Sequence, residues 1–386
     1  MEKERAEQLL SEMETSGLDA IVLKNPEDVL FATGFWPITG WTIFVMEQDG
    51  RSRVLIPESE LEFLDQGSVS EVSVVPCENL GEVHDPYKHI RSFFAGLPLR
   101  DKSRVGVELS MEALATVHTG AELSFMGCKT LEILRNETGA ELADFSNALH
   151  RLRLFKTERE IGKISTACKI ASIGLQEGRE SLTEGMSESE LASRVEAAVS
   201  VNGVGYLGAR LARGFAYVMS GENGSKANLP FNISSNRKIK RGESVLIELN
   251  VQADGYWADL TRTWFVGRPS DQLRAYYDAV CEANEKAASL VRDGTPAKEL
   301  DSAARGVISA AGFGHLFNHR LGHGIGFRLH EPPSLHPASQ DVIRKNMTFT
   351  IEPGVYGIGY GIRVEDVIAA RQHGPERLSS FKAESP

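Results

Sequence analysis

The sequence predicts two domains, an α/β domain over residues 1–150 and a larger α+β domain over residues 151–386. Three observations support this prediction. At 386 residues, the chain is longer than a single hydrophobic core usually serves. Helical and strand-like patterns alternate in the first part, as they do in α/β domains. In the second part, helices with clear start signals flank pairs of strand-like segments, which favours antiparallel hairpins covered by helices.

Composition and charge exclude several classes of protein. The chain is 41% hydrophobic and 25% charged, which is typical of a globular protein in water. Its net charge of −11 and its lack of a basic run argue against binding to nucleic acid or to an anionic membrane surface. No apolar run approaches the roughly 18 residues that span a bilayer, and the charged start has no apolar signal-peptide core.

The cysteines indicate the compartment. They are scattered along the chain without the spacing of a metal site or of a redox motif. Unpaired cysteines of this kind usually lie in the protein interior. We therefore expect reduced, mostly buried thiols and a cytoplasmic protein. The four residues are Cys77, Cys128, Cys168 and Cys281.

Each element of the first domain has a recognisable pattern. An amphipathic helix at the start is predicted to end at Gly17. A second helix, YKHIRSFFAGL, is predicted between two of the strands. The predicted strands are DAIVL, WTIFVME, SRVLIP, VSVVP and RVGVEL. No group of chemically reactive side chains occurs among these elements, so we expect the chemistry in the second domain.

Helices of the second domain begin with capping signals. In a capping box, a Ser or Thr side chain and a Glu three residues later each accept a free backbone N–H. A proline in the first helical position is a further start signal. Strand pairs are predicted between these helices, at 243–265 and 347–369. The predicted helix starts are Thr157 with Glu160, Ser187 with Glu190, and Thr295 with Pro296, and the last helix is predicted to end at Gly312.

The first strand pair, VLIELNVQADGYWADLTRTW, contains three acids. A four-residue loop at QADG would place Glu248 opposite Asp259, whereas a two-residue Asp-Gly loop would make them diagonal neighbours on one face. Carboxylates about 5 Å apart repel each other, so one is protonated or a cation lies between them. Asp254 falls in the turn, where we expect it to be solvated.

The second strand pair, MTFTIEPGVYGIGYGIRVEDV, repeats the arrangement. Glu352 ends one strand and Glu365 lies in the next, and the midpoint between them falls in residues 357–360. The two glutamates can therefore face each other across the hairpin. Together the two hairpins would contribute four carboxylates to one place.

A histidine-rich segment supplies a neutral ligand. Five of the ten histidines lie within residues 315–336, and glycines flank His323 in GHGIG, which permits close approach to an ion. Four carboxylates and an imidazole suit manganese, iron, cobalt or zinc better than a metal that prefers thiolates. Two divalent ions roughly 3.5–4 Å apart would neutralise the carboxylates and activate a bridging water.

These segments resemble the creatinase/aminopeptidase P/prolidase family, whose catalytic domain has the pita-bread fold. The resemblance rests on GYWADLTRT, HRLGHGIGFRLHE, TIEPGVY and GIRVEDV, which occur in the family's order and spacing. It is strong over residues 150–370 and looser over residues 1–150. It implies an α+β pita-bread domain, preceded by a smaller α/β creatinase-type domain, in a chain that forms homodimers.

The resemblance also implies a role for individual residues. The matching metal ligands are Asp259, His323, Glu352 and Glu365, with Glu248 at the position of a fifth, and the other matching residues are His319, His330 and Arg363. Glu352 would orient or deprotonate the bridging water, and His330 would stabilise the tetrahedral intermediate. His319 would handle substrate, and Arg363 would lie beside the last ligand, close to the substrate.

Two residues depart from the family pattern. Glu248 stands eleven residues before Asp259, where the family has aspartate. Its extra methylene moves the carboxylate by about a bond length, which would weaken or shift one metal of the pair. Phe231, in ANLPFNIS, stands where the family commonly has a substrate-contacting histidine. Phenylalanine donates no hydrogen bond, which leaves two interpretations: drift within a working peptidase, or a changed substrate with Phe231 packed against an apolar group.

The implied function is metal-dependent hydrolysis of the bond before proline in dipeptides or short peptides. The implied cofactor is a pair of divalent ions, with manganese the first expectation and cobalt, zinc or iron the others. One alternative is a hydrolase of a C–N bond in a small non-peptide compound, similar to creatinase or ectoine hydrolase, which act without metal. Another is a non-catalytic peptide-binding protein, although such a protein has little reason to keep mutually repelling acids.

Overall fold

A computed structural model describes residues 3–38, 40–77, 85–109, 127–229, 234–379 and 381. Contacts divide the described chain into two compact units, the first ending at Arg153 and the second beginning at Leu154. Each unit has its own hydrophobic core, built from buried strands and the apolar faces of helices.

The first unit is a six-stranded mixed sheet with helices. The strand order is β4-β3-β2-β1-β5-β6, with antiparallel pairs β1–β2 and β2–β3 and parallel pairs elsewhere. Its elements are α1 Lys3–Ser16, β1 Ala20–Leu23, α2 Pro26–Thr33, β2 Ile43–Glu47, β3 Ser52–Pro57, β4 Glu71–Val75, α3 Pro86–Ala95, β5 Arg104–Val107, α4 Cys128–Thr138, β6 Glu141–Asp144 and α5 Ser146–Leu154.

The sequence patterns of the first unit predicted these elements well. The predicted first helix is confirmed, since α1 stops one residue before Gly17, which has a positive φ of 60°. All five predicted strands are confirmed to within two residues, and α3 lies between β4 and β5 as predicted. The central strands β1 and β2 are buried along their full length, which explains their continuous apolar sequences.

The second unit contains five helices and ten strands among the described residues. A three-stranded sheet has the order β7-β8-β9, a five-stranded sheet β11-β10-β12-β15-β16, and β13 pairs with β14, all antiparallel. The elements are α6 Glu158–Ser181, α7 Glu188–Gly203, β7 Ala212–Ser220, α8 Gly221–Gly224, β8 Ser244–Ala253, β9 Tyr256–Phe265, α9 Asp271–Ser289, α10 Ala297–Ala310, β10 Gly322–Gly324, β11 Glu331–Leu335, β12 Thr348–Ile351, β13 Gly354–Gly357, β14 Tyr360–Arg363, β15 Asp366–Arg371 and β16 Gly374–Arg377.

The capping predictions were right at two of three helix starts. Both capping boxes are formed, at the starts of α6 and α7. The third prediction was wrong by one position, because α10 has Pro296 as its N-cap, and Thr295 instead donates its hydroxyl to the carbonyl oxygen of Leu290. The helix ends at Ala310, two residues before Gly312.

Strand β8 separates a helix-covered face from a polar face. Ile247 and Leu249 point toward α6, where a Cβ on Gly174 would come within 2.7 Å of Leu249 Cδ2. Because side chains alternate along a strand, Glu248 and Asn250 lie on the opposite face. The close packing of α6 on the apolar face therefore fixes the position of β8, which carries Glu248 and Asn250 on its other face.

The turn between β8 and β9 differs from the leading prediction. Ala253 pairs with Tyr256, so the loop is the two-residue Asp254-Gly255 alternative, in which both residues have positive φ, at 48° and 87°. Glu248 is consequently opposite Thr261 and is a diagonal neighbour of Asp259. The expectation that they lie directly opposite was wrong.

Asp254 is also better fixed than expected. Its Oδ1 accepts hydrogen bonds of 3.0 Å from the backbone N–H groups of Arg210 and Leu211, and its Oδ2 lies 3.5 Å from Lys163 Nζ. The prediction of a solvated turn residue was therefore wrong. The carboxylate fastens the hairpin tip to the strand and helix beside it.

The second hairpin is interrupted, but its register is continuous. The pair Ile351–Asp366 ends the β12–β15 ladder, and the pair Gly354–Arg363 begins the β13–β14 ladder. Both ladders have the same register, which places Glu352 across from Glu365, as predicted. The two acids thus lie in the break between the ladders.

Two further expectations concern the cysteines and membrane segments. The cysteines are free, but only Cys168 is buried, Cys128 is exposed, and the other two are intermediate, so the expectation of mostly buried thiols was wrong.

Among the described residues, no helix combines the length and apolar character needed to cross a membrane.

Candidate metal centre

Four of the predicted ligands meet in the second unit. The ligand atoms of Asp259, His323 and His330 lie within 4.8 Å of one another, and so do those of His323, Glu352 and Glu365. His323 belongs to both groups and therefore lies at the centre. Strand β9 supplies Asp259, strand β10 supplies His323, and the interruption of the second hairpin supplies both glutamates.

Asp259 is buried and is held by one oxygen. Its Oδ1 accepts a hydrogen bond of 2.6 Å from Asn250 Nδ2, while its Oδ2 lies 3.8 Å from His323 Nε2. Burial raises the pKa of Asp259 well above its ordinary value, and the charges of Glu248 and Glu352 raise it further. Oδ1, the outer oxygen, is therefore fixed by Asn250, and Oδ2, the inner oxygen, is directed at His323.

The two carboxylate oxygens of Glu365 also differ in their surroundings, as those of Asp259 do. Its Oε2 accepts a hydrogen bond of 2.6 Å from Thr261 Oγ1, and its backbone N–H donates to the Thr261 carbonyl oxygen at 3.0 Å. Its Oε1 is buried and has no hydrogen-bond partner among the residues that the structure describes. Burial, followed by the charges of Asp259 and Glu352, raises the pKa of Glu365 well above its ordinary value.

Glu352 is the most accessible of the three converging acids, with 12% of its side chain exposed. Its Oε1 accepts a hydrogen bond of 3.1 Å from Thr350 Oγ1 and lies 3.5 Å from His323 Nε2. Burial is the main cause that raises the pKa of Glu352 to about 7. This carboxyl can therefore exchange a proton near neutral pH.

His323 presents a lone pair to the acids. Its Nδ1 lies 3.0 Å from the carbonyl oxygen of Gly324, and because a carbonyl only accepts, Nδ1 carries the proton. Burial, together with the neighbouring His330, lowers the pKa of His323 well below its ordinary value, so the ring is neutral. Nε2 is then an unprotonated nitrogen that faces carboxylate oxygens, the arrangement found in metal-binding histidines.

These donors fit a divalent cation. One imidazole lone pair and three carboxylates converge, and within the described part of the chain Glu365 Oε1 has no hydrogen-bond partner. Unsatisfied buried acceptors are costly, and a cation would satisfy them together. Oxygen and imidazole ligands suit manganese, iron, cobalt and zinc.

Glu248 is in neither ligand group and contacts Arg363 instead. Its Oε2 accepts a hydrogen bond from the Arg363 guanidinium, and 24% of its side chain is exposed. Arg363 is itself buried, and its other donors reach Thr261 Oγ1 at 3.2 Å, the Ala227 carbonyl at 3.2 Å and Tyr356 Oη at 3.3 Å. The longer side chain of Glu248 thus ends at an arginine beside the cluster.

His319 is held away from the ligand groups by two hydrogen bonds. Its Nδ1 lies 2.7 Å from the carbonyl oxygen of Arg320, so Nδ1 is protonated and Nε2 accepts from Tyr356 Oη at 2.9 Å. Burial, followed by the charge of Arg363, lowers the pKa of His319 to about 3. A neutral His319 with both nitrogens engaged orients Tyr356, whose hydroxyl also accepts from Arg363.

His330 lies at the edge of the cluster. Its ring centroid is 4.1 Å from that of His323, with the rings inclined at 47°. It is half-buried, in contrast to His323. Phe231, the remaining sequence-predicted residue, lies outside the described residues.

Four supporting residues were missed in the sequence. Asn250, Thr261 and Thr350 each bind one oxygen of a converging carboxylate. Each lies two positions from a predicted ligand position, so the alternation of side chains along a strand would have found them. Tyr356 carries no such signal, because its contacts to His319 and Arg363 depend on the packing of separate strands.

Comparison with known proteins agrees with this fold. Residues 162–372 match the family model of metallopeptidase family M24, and residues 5–155 match that of the creatinase/prolidase N-terminal domain. An Xaa-Pro dipeptidase of Pyrococcus horikoshii is 31% identical over 99% of this chain and 98% of its own length.

Solved structures give the same result. The prolidase from Pyrococcus horikoshii OT3 has a TM-score of 0.77 at 28% identity and covers 100% of both chains. The Xaa-Pro dipeptidase from Bacillus anthracis has a TM-score of 0.79 at 25% identity, covering 99% of this chain and 98% of its own. The predicted resemblance and fold class, a creatinase-type domain before a pita-bread domain, are confirmed. The chain belongs to metallopeptidase family M24 and is a hydrolase of the peptidase class.

Proposed function

We propose that this protein is a metal-dependent Xaa-Pro dipeptidase or aminopeptidase that cleaves the bond before proline in dipeptides or short peptides. The observation that carries the proposal is the buried convergence of Asp259, His323, Glu352 and Glu365. Relatives named Xaa-Pro dipeptidase that match over almost the whole chain support the choice of substrate.

The proposed cofactor is a pair of divalent ions, with manganese the first choice and cobalt, zinc or iron the alternatives. When bound, such ions would supply Lewis-acid stabilisation and lower the pKa of a water molecule. The side-chain oxygens and nitrogens that face one another in the cluster support this assignment. The proposed ligands are Glu248, Asp259, His323, Glu352 and Glu365.

Glu352 is the proposed general base. A carboxylate at this position would take a proton from the attacking water and later give one to the leaving nitrogen. Its partial exposure also leaves it accessible from the side on which substrate would enter. Thr350 would keep the carboxylate aimed at the cluster during both transfers.

His330 is the proposed donor to the developing oxyanion. It lies beside His323 at the half-buried edge of the cluster, where a substrate carbonyl could reach it. Arg363 and His319 would act together through Tyr356, with Arg363 oriented toward the substrate side of Glu248. Phe231 is proposed to contact an apolar part of the substrate.

A second candidate function is hydrolysis of a C–N bond in a small non-peptide amide. The observation that favours it is Phe231, which cannot replace a substrate-binding histidine as a hydrogen-bond donor. A non-catalytic role is less well supported, because the raised pKa values of the buried acids reflect a cost that binding alone does not require.

Two broader assignments belong to the same proposal. Homodimer formation follows from the family resemblance, and light scattering of the purified protein would measure it directly. A cytoplasmic location is supported by four free cysteines without redox spacing, since disulfides are rare in that compartment.

The proposed function predicts that the protein loaded with manganese hydrolyses Ala-Pro or Met-Pro, and that chelation abolishes the activity. Asp259→Asn should lose bound metal as well, because it removes one of the converging charges. Metal content, measured by mass spectrometry of chelator-free protein, and proline release are the measurements. Protein that cleaves a small amide but no proline peptide would favour the second candidate, and cleavage of proline peptides without metal would contradict the proposed mechanism.

Glu352→Gln should lower kcat by about 100-fold or more, the usual contribution of general acid–base catalysis, while leaving the fold intact. The amide keeps the size of the side chain but cannot take up a proton. Exposed Glu282→Gln on α9 is the matched control, for which we expect unchanged turnover. Steady-state kinetics with thermal unfolding would test this, and near-normal kcat would place the base elsewhere.

Metal binding should release protons and weaken as the pH falls. The raised pKa values mean that the metal-free cluster is partly protonated near pH 7, whereas the ligands bind a cation in their charged form. Calorimetry of manganese binding in two buffers with different ionisation enthalpies would measure the released protons. Heats that are the same in both buffers would contradict the prediction.

The same pKa shifts affect the stability of the metal-free protein. A carboxyl whose pKa is raised on folding stabilises the fold below its ordinary pKa, and that contribution is lost as the pH rises through the raised value. For Glu352, the free energy of unfolding should therefore decrease from pH 4.5 to about 7. Saturating manganese should remove this decrease.

Glu248→Asp should strengthen binding of the second ion. The shorter side chain would withdraw from Arg363 and restore the reach of the family's aspartate. We expect the weaker dissociation constant to fall by about tenfold, which corresponds to one charge-assisted contact. Titration by calorimetry, with Glu282→Asp as control, would measure this, and weaker binding would show that the site depends on the glutamate.

A further inference from the structure

A buried ion pair lies behind the segment that carries His330. The side chain of Lys156 is 0% exposed, and its Nζ donates a hydrogen bond to Glu331 Oε1. Lys156 directly precedes Thr157, the N-cap of α6, and its backbone N–H donates to the Asn346 carbonyl at 2.9 Å. The backbone of Lys156 is therefore fixed, and the side chain extends from it to Glu331.

Glu331 is the residue after His330 and closes the loop between β10 and β11. Its Oε2 accepts a hydrogen bond of 3.2 Å from the Arg328 backbone N–H. It also pairs with Gly324, the residue after His323, in the strand register. The side chain of Glu331 thus binds the lysine and the loop, while its backbone pairs with the strand of the central histidine.

The loop is also pressed against the lysine side chain. A Cβ on Gly326 would come within 2.8 Å of Lys156 Cε, and the φ of Gly326 is 154°. The Gly326 carbonyl accepts a hydrogen bond of 2.9 Å from the Trp257 backbone N–H. The path of residues 326–331 is therefore set on one side by Lys156 and on the other by β9.

The Lys156–Glu331 ion pair affects the orientation of the His330 side chain. Glu331 directly follows His330, so anchoring Glu331 restricts the backbone that carries the His330 ring, which lies 4.1 Å from the ring of His323. A buried ion pair adds little stability relative to apolar residues of similar size. Orientation of the neighbouring residue is a use that the geometry of this pair does support.

We propose that Lys156 is a positioning residue, which fixes the orientation of His330 at the metal centre through its ion pair with Glu331. The inference rests on the proposed function, in which His330 contacts the substrate. Lys156 itself lies behind the loop and does not touch the ligand atoms. Its effect on turnover should therefore pass through His330 alone.

The kinetic test measures Lys156→Met in the wild-type and in the His330→Ala backgrounds. In the wild-type background we expect kcat for Ala-Pro to fall roughly 10- to 100-fold with bound manganese unchanged, as for a misplaced catalytic group. In the His330→Ala background the same change should cost less than about twofold, because the group that it positions is gone. Equal losses in both backgrounds would overturn the proposal.

Two additional variants guard against a general loss of structure. Lys156→Met leaves a buried unpaired carboxylate, so the double variant Lys156→Met/Glu331→Gln removes both charges and should fold if the single variant does not. It should show the same loss of kcat as the single variant. Exposed Lys298→Met on α10 is the control, with unchanged kcat expected. A folded double variant with normal kcat would contradict the positioning role.

A spectroscopic measurement separates this inference from the proposed function. In spectra of protein with labelled histidine rings, the His330 signal is identified by its absence in His330→Ala. Lys156→Met should shift and broaden that signal while the signal of His319 stays in place. An unmoved His330 signal would refute the inference, whether or not the wild-type protein cleaves proline peptides. Failure of the wild-type protein to cleave any proline peptide would refute the proposed function alone.

Discussion

The repulsion between three buried carboxylates around one neutral histidine is the constraint on which the site depends. Asp259, Glu352 and Glu365 reach this place from two hairpins, and their inner oxygens converge on His323. Such an arrangement stays assembled only if each acid is held from behind, which Asn250, Thr350 and Thr261 do by binding one oxygen apiece. The apolar face of β8, packed on α6, supplies the rigidity that a loop could not.

Much of this arrangement could be read from the sequence, because side chains in strands alternate with a fixed period. Alternation placed Glu248 and Asp259 on one face whichever even loop formed, and symmetry about the second turn placed Glu352 across from Glu365. It could not choose between loops of two and four residues. Only the pairing of Ala253 with Tyr256 in the structure decided that, and with it the residue opposite each acid.

Contacts between distant strands could not be predicted in the same way. Glu248 and Arg363 are 115 positions apart, and their ion pair depends on the reach of two long side chains across different sheets. The hydrogen bond of His319 Nε2 likewise depends on Tyr356 in β13, which is distant in the sequence. A sequence motif can therefore identify a histidine as a candidate ligand. Whether one of its ring nitrogens is free to bind a metal depends on the packing around it. For His323 packing leaves one nitrogen facing the acids, and for His319 it leaves neither.

The interruption in the second hairpin has a consequence for how this protein can be altered. Glu352 and Glu365 lie at the base of the β13–β14 ribbon, whereas Ile358 at its tip is fully exposed. Lengthening the ribbon at that tip by an even number of residues would preserve the facing of the acids, whereas an odd number would require a bulge. The tip is thus a natural point of attachment for a probe or a tag, and one at which related chains could diverge in length without losing their chemistry.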